Sequence, residues 1–286
     1  MGSTPGAFAR RLEAAASWRL ARLRKHLWQR IHLRRPADKT ALFVVGCHRS
    51  GTTMLASVMD RSPRSWVYHE GSRRAFHDYR LRAPEVVERR IADSRASTVV
   101  FKPICDAQWT DRILDRHPGS RAIWIYRRYA DVVNSAVVKW GDHQKDIMRW
   151  IRDEDAERLG WRGERLSDEN RDLVKRLYRA QMSPADGAAL FWYLRNALFF
   201  ELGLDRDPRV LTVRYEDLVT NPESEIERVY AHAGCRFEPA FAAGVFASSV
   251  GRTPSPPLEA EIRSLCDAMT SRLDAAHRSR PGRPPA

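Results

Sequence analysis

Residues 41–54 read ALFVVGCHRSGTTM. An apolar run of strand length ends on Gly46. Four residues then lead to Gly51, and hydroxyl side chains open the next segment. Such a strand, tight turn and helix start leave little choice of fold, because the turn aims several backbone N–H groups and the positive end of a helix dipole at one point. Gly46 and Gly51 let the backbone approach an anion closely, and Ser50, Thr52 and Thr53 add hydroxyl donors. A nucleoside-triphosphate loop carries a lysine directly after its second glycine. Here Thr52 stands in that place and Arg49 sits inside the loop. A forked, permanent guanidinium clamps a tetrahedral oxyanion without help from a metal. No apolar strand ends on an aspartate suited to Mg²⁺. The loop therefore predicts an anion less charged than a triphosphate.

The same alternation continues along the chain. Strands are predicted over 41–45, 98–101, 121–126 and 209–214. Helices are predicted over 52–60, 111–116, 130–140 and 223–233, the last one ended by Gly234. Strands alternating with helices imply a mainly parallel sheet whose ligands gather at the carboxyl ends of its strands. The stretch 141–187 is polar and charged, contains Trp150 and Trp161, and reads as a helical insertion able to cover a site. Residues 277–286 are rich in Pro and Arg and predict a disordered tail.

Residues 7–33 predict an amphipathic helix, with Phe8, Leu12, Ala16, Leu20, Leu23, Leu27 and Ile31 on one stripe. Two readings of it stand: a helix packed on the domain, or one lying on an anionic membrane surface. The chain is divided accordingly into 1–38, a basic N-terminal helix; 39–276, the catalytic domain; and 277–286, the tail. Net charge is +13 over 286 residues, yet residues 1–40 hold ten Lys or Arg against Glu13 and Asp38. Most of the excess is thus local, and the body does not call for a nucleic-acid partner. Cys47, Cys105, Cys235 and Cys266 form no metal-ligand spacing and fit free thiols in a reducing compartment. With no apolar run long enough to span a bilayer, the expected location is cytoplasmic.

The loop resembles the 5′-phosphosulfate loop of sulfotransferases, in the arginine form RSGTT typical of the carbohydrate and tyrosylprotein enzymes. These move a sulfuryl group from 3′-phosphoadenosine 5′-phosphosulfate (PAPS) to a hydroxyl or amine, without a metal. The resemblance implies a P-loop-like three-layer α/β/α fold around a central mainly parallel sheet. It also implies PAPS contacts from Arg49, Ser50, Gly51, Thr52 and Thr53. A second signature of the family, an Arg at a strand end and a Ser eight residues on, is matched by Arg127 and Ser135 in IYRRYADVVNS. These would hold the 3′-phosphate. The family's Arg-Asp-Pro-Arg-Asp is here Arg127-Arg128-Tyr129-Ala130-Asp131, which leaves Arg128 to share the phosphate or face solvent. RYEDLV, 214–219, resembles a late motif of the family and gives Tyr215 a nucleotide contact. SSVGRTPS, 248–255, resembles the loop that closes over the 3′-phosphate, with Arg252 as its cation and Thr253 where a tryptophan is customary.

For the chemistry, Glu70 matches the catalytic glutamate of the tyrosylprotein enzymes by its spacing of 21 residues from Arg49, and Lys102 matches their catalytic lysine. A partly buried carboxylate serves as general base when its pKa rises toward neutrality. His69 beside it is the alternative base. The acceptor is expected to be a small molecule, lipid or carbohydrate. Trp140, Trp150, Trp161 and Trp192 are candidates for the walls of its cleft. Two other functions compete with sulfuryl transfer: an ATP-dependent kinase of similar fold, and a non-catalytic nucleotide- or membrane-binding protein.

Overall fold

A computed structural model of the chain describes residues 20–247, 251 and 254–279. Five strands form one sheet: β1 (Thr40–Gly46), β2 (Ser65–Tyr68), β5 (Thr98–Phe101), β6 (Arg121–Tyr126) and β7 (Val210–Arg214). A two-stranded ribbon, β3 (Phe76–His77) with β4 (Arg80–Leu81), stands apart from it. The order across the sheet is β2-β5-β1-β6-β7, and every pairing within it is parallel. The expected strands at 98–101 and 121–126 coincide with β5 and β6, while β2 is an edge strand that the sequence pattern did not disclose.

Strands buried on both faces read as continuous apolar runs, and the period of two then sorts their side chains into two cores. Phe43 and Val45 of β1, with Trp124 and Tyr126 of β6, face one core. Leu42, Val44, Ile123 and Ile125 face the other. The second core is completed by α2 (Thr52–Met59), α10 (Tyr215–Thr220) and α11 (Pro222–His232). The first is completed by α3 (Pro84–Asp93), α4 (Thr110–Arg116), α5 (Tyr129–Trp140), α6 (His143–Arg152), α8 (Asp168–Leu177), α9 (Pro184–Glu201) and α12 (Ala260–Arg278). The result is the three-layer α/β/α arrangement.

The helices start and stop where local chemistry directs. Ser183 caps α9 by accepting from Asp186 N at 3.0 Å, with Pro184 at the first helical position. That helix is largely apolar and mostly buried, with Asp186, Arg195 and Asn196 enclosed among its apolar side chains. Gly234, at φ 67°, closes α11 while Gly234 N and Cys235 N donate to Ala231 O and Tyr230 O, a left-handed cap that satisfies the last carbonyls. The stretch 141–187 holds α6, α7 (Ala156–Leu159), a short 3-10 turn (Gly160–Gly163) and α8. The boundary drawn before residue 277 is corrected. Helix α12 runs through Arg278, and His277 is buried between Thr212 O and Asp217. Residues 280–286 lie outside the described residues.

The N-terminal helix is described over 20–32 and labelled α1. It packs on the domain, but through its polar face. Lys25 Nζ donates to Asp60 Oδ1 at 2.8 Å, and Gln29, fully enclosed, donates to Pro63 O and Ser65 O at 2.8 and 3.0 Å. Leu20, Leu23, Leu27 and Ile31 face solvent. Residues 1–19, with Phe8, Leu12, Ala16 and Trp18, lie outside the described residues.

Gly46 marks the tightest point of the sheet. A Cβ there would lie 2.2 Å from Ile125 O, and φ is +135°. Gly46→Ala is expected to lower unfolding stability by about 3 kcal/mol, from overpacking and backbone strain together. Urea unfolding at neutral pH reads that loss directly.

Candidate active site

The strand order decides which side chains meet. Where β5 pairs with one side of β1 and β6 with the other, the loops leaving the carboxyl ends diverge and open a crevice. The loop 47–51 leaves β1 into that crevice. Arg49 (φ 66°) and Gly51 (φ 92°) both take left-handed backbone, and a Cβ on Gly51 would lie 2.3 Å from the Tyr215 ring. The turn thus folds tightly against the residue that begins α10. Helix α2 opens at Thr52 without a side-chain cap, so its first amides have no intrahelical acceptor. Ser50 Oγ is buried and has no hydrogen-bond partner among the described residues. A buried orphan hydroxyl beside a helix start is a donor set that suits a phosphate or sulfate oxygen.

On one flank of the loop stand the ends of β2 and β5. Lys102 follows Phe101 and is 3% exposed, so it is no solvated surface lysine. Its Nζ donates to Glu70 Oε1 at 2.5 Å and to Thr53 Oγ1 at 3.1 Å. Glu70, two residues past β2, keeps a quarter of its side chain open to solvent. His69 is held below its ordinary pKa by burial and by the Lys102 charge, which keeps the ring neutral near pH 7.

On the other flank stand the ends of β6 and β7. Arg127 is nearly enclosed, lies 4.5 Å over the Tyr215 ring, and approaches Asp131 Oδ2 at 3.8 Å. Trp192 Nε1 donates to Arg127 O at 3.1 Å. That tryptophan is fully buried and braces the strand end; it lines no cleft. Arg49 Nε donates to Ser135 Oγ at 2.8 Å, which brings the loop cation and the α5 hydroxyl together. Arg128 is exposed, and its backbone N–H donates to Glu216 Oε1. Burial raises the pKa of Glu216 and backbone hydrogen bonds oppose that rise, in keeping with a bracing group. Arg252 lies outside the described residues. The chain resumes at Pro254, whose carbonyl accepts from Asn134 Nδ2 at 3.0 Å, one residue from Ser135.

Several residues here carried no sequence signal. His48 of the loop stacks on Trp161 with ring centroids 5.6 Å apart, and meets Trp140 edge-on at 5.9 Å. With Phe191, Ile147 and Arg162 they line a cavity of about 150 Å³. Burial, then the Arg195 charge, push the His48 pKa down to about 3. Arg162, Lys102 and Arg49 press in the same direction. Arg195, on α9, is itself buried and donates to Ile104 O and Gln108 Oε1. Glu164 ties the insertion to β4 and to the segment after Lys102, accepting from Arg80, Gln108 and Trp109. Burial pushes that carboxyl up, but the hydrogen bonds from these three side chains and the Arg80 charge outweigh it and hold its pKa below the ordinary value. Of the tryptophans singled out in the sequence, Trp140 and Trp161 line the cavity, whereas Trp150 packs against His143.

The sequence profile described as "Sulfotransferase family" matches residues 87–239, just over half the chain. The chain belongs to the sulfotransferase family and is a PAPS-dependent sulfotransferase. The matched stretch contains Lys102, Arg127, Ser135 and Tyr215. Among solved structures, the sulfotransferase domain from the curacin biosynthetic pathway is 17% identical, with 83% of this chain and 99% of that one covered at a TM-score of 0.49. A sulfotransferase from Alicyclobacillus acidocaldarius is 18% identical, with 85% and 98% covered at 0.49. A mouse sulfotransferase complexed with PAP is 14% identical, with 86% and 69% covered at 0.36. No curated protein sequence matches the chain.

Neutral His48 has a consequence for stability. Unfolded chains take up a proton on this imidazole below about pH 6.5, whereas the folded state refuses it down to about 3. The contribution is therefore complete above pH 6.5 and is lost as pH falls toward 3. Urea unfolding at pH 7 and pH 5 should show a smaller loss of stability on acidification for His48→Gln than for the parent. Equal losses would mean that His48 is protonated in the folded protein.

Proposed function

We propose that the crevice transfers the sulfuryl group of PAPS in line to a hydroxyl or amine, with Glu70 as general base. What supports this reading is the placement of two clusters on opposite flanks of one anion loop: Glu70 with Lys102 on the β2-β5 side, and Arg127 with Tyr215 on the β6-β7 side. In this arrangement the loop amides with Ser50, Thr52 and Thr53 hold the 5′-phosphosulfate. Arg127 and Ser135 hold the 3′-phosphate, and Arg252 closes over it.

Glu70 takes the acceptor proton as the acceptor oxygen or nitrogen bonds to sulfur. The bond from sulfur to the bridging phosphate oxygen breaks, and the leaving bisphosphate keeps that electron pair. Arg49 and Lys102 neutralise the charge that builds on the bridging oxygen. Because Glu70 and Lys102 share an ion pair, base and electrophile are oriented together before the acceptor arrives. No step requires a divalent cation. The acceptor enters the cavity walled by His48, Trp140, Trp161 and Phe191, with the 141–187 insertion as its cover. An aromatic enclosure with a neutral imidazole and Arg162 at its margin favours a flat or apolar acceptor face carrying the reactive hydroxyl.

Thermal unfolding with 3′-phosphoadenosine 5′-phosphate, and with ADP plus Mg²⁺, is the discriminating measurement. The bisphosphate should stabilise the protein without added metal, and ADP with Mg²⁺ should not. The reverse pattern would make the protein an ATP-dependent enzyme. Arg127→Ala should weaken bisphosphate binding by at least tenfold, since an enclosed charge-assisted contact contributes about 1.5–3 kcal/mol. Glu70→Gln should keep the bisphosphate shift and lose about 10²–10⁴ in turnover. Turnover near the parent value would assign the base elsewhere, with His69 next in line.

A further inference from the structure

An amphipathic helix ordinarily hides its apolar stripe against the domain. Helix α1 does the opposite. At 100° per residue, Leu20, Leu23, Leu27 and Ile31 fall within an arc of about 80°, and they are 49, 54, 48 and 75% exposed. The side chains on the opposite arc do the docking. Lys25 bonds Asp60, Gln29 bonds two carbonyls, and the Arg22 guanidinium lies 4.3 Å over the Trp66 ring. Arg95 secures the far end through the carbonyls of Arg30 and Leu33. The domain therefore holds this helix in a fixed roll with its apolar side outward.

Charge says what the outward side meets. Residues 20–37 contain six Lys or Arg and no Asp or Glu. Arg22 and Lys25 are used in docking, whereas Arg24 and Arg30 border the stripe and are exposed. On the Arg30 side the helix forms one wall of a cleft of about 250 Å³ that also takes in Arg35, Arg74, Arg90 and Arg95, with Asp93 as its carboxylate. A second copy of the chain laid on the stripe would set these arginines against their own kind. An anionic bilayer complements both features, because leucine and isoleucine enter the acyl boundary while arginine stems reach back to phosphate groups.

We propose that this face docks the protein on anionic lipid, with the stripe of α1 inserted at the interface and the arginine cleft receiving lipid phosphate. The strand that walls the cleft, β2, runs on into His69 and Glu70, so the docking face and the catalytic flank share one element. This fixes the rolled helix as an anchor of the catalytic domain; it does not depend on which acceptor is sulfated.

The test is co-sedimentation of the full chain with vesicles of phosphatidylcholine alone and of phosphatidylcholine mixed with phosphatidylglycerol. Binding to the anionic vesicles should exceed binding to the neutral ones by at least about tenfold, because basic residues near the surface are drawn to anionic headgroups, and should fall as salt is raised. The triple variant Leu23→Asp, Leu27→Asp, Ile31→Asp should abolish it while keeping the parent's thermal shift with bisphosphate, which shows the domain intact. Arg30→Glu with Arg35→Glu should weaken anionic binding without touching that shift. Unchanged sedimentation of the triple variant would overturn the proposal, as would equal binding to both vesicle types. So would a dimer, seen by light scattering, that needs the stripe in the absence of lipid. Displacement from vesicles by inorganic phosphate at matched ionic strength would reassign the cleft to a soluble anion and overturn its part.

Discussion

The parallel pairing of β1 between β5 and β6 is the constraint that organises the whole molecule. Gly46 lies against the Ile125 carbonyl so closely that no side chain fits, and that contact sets the register at which the anion loop leaves the sheet. Because all five strands run in one direction, each contributes its carboxyl end to the same edge. The lateral order β2-β5-β1-β6-β7 then becomes the lateral order of the candidate site: Glu70, Lys102, the loop, Arg127, Tyr215. Neighbouring strands stand about 4.8 Å apart, so the acid–lysine pair and the arginine clamp are held on opposite flanks by backbone pairing alone.

Concentrating cations in such a crevice costs desolvation, and the structure offsets that cost with specific partners. Lys102 is enclosed, yet it has a carboxylate and a hydroxyl. Arg127 lies over an aromatic ring near Asp131, and Arg195 directs its donors to Ile104 O and Gln108. His48 answers the same field by staying neutral. These cations are thus held by packed partners rather than left to solvent.

The loop and most of the sheet were legible because their signals are local. The run 41–45, the glycines of the turn, and the strands at 98–101 and 121–126 are set by apolar content and by backbone conformations that few residues adopt. Glu70, Lys102, Arg127, Ser135 and Tyr215 could be singled out in the chain, and folding brings Glu70 to Lys102, Arg127 to Tyr215, and Ser135 to Arg49. Edge strand β2 was not legible, since four residues of mixed polarity carry no period. The aromatic cavity was not either. His48, Trp140, Trp161 and Phe191 are far apart in sequence, and nothing in a lone tryptophan separates a cavity wall from core. Trp192 makes the point, because its ring is fully buried and its indole N–H braces Arg127.

Helix α1 draws the line between the two sources of information. Its period of leucines determined that a helix forms and which residues share a stripe, because 3.6 residues per turn is a property of the backbone. Which side of that helix meets the domain was decided only in three dimensions. Asp60 and the carbonyls of Pro63 and Ser65 offer charge and hydrogen-bond acceptors that Lys25 and Gln29 satisfy, and a leucine placed there would leave them unpaired. Local pattern sufficed to read an α/β chain with a strand–glycine-turn–helix loop that lacks the lysine of a triphosphate site. The tertiary structure decided which distant cations and carboxylate surround that loop and which faces stay open, because those depend on strand order and on buried polar partners that no local period encodes.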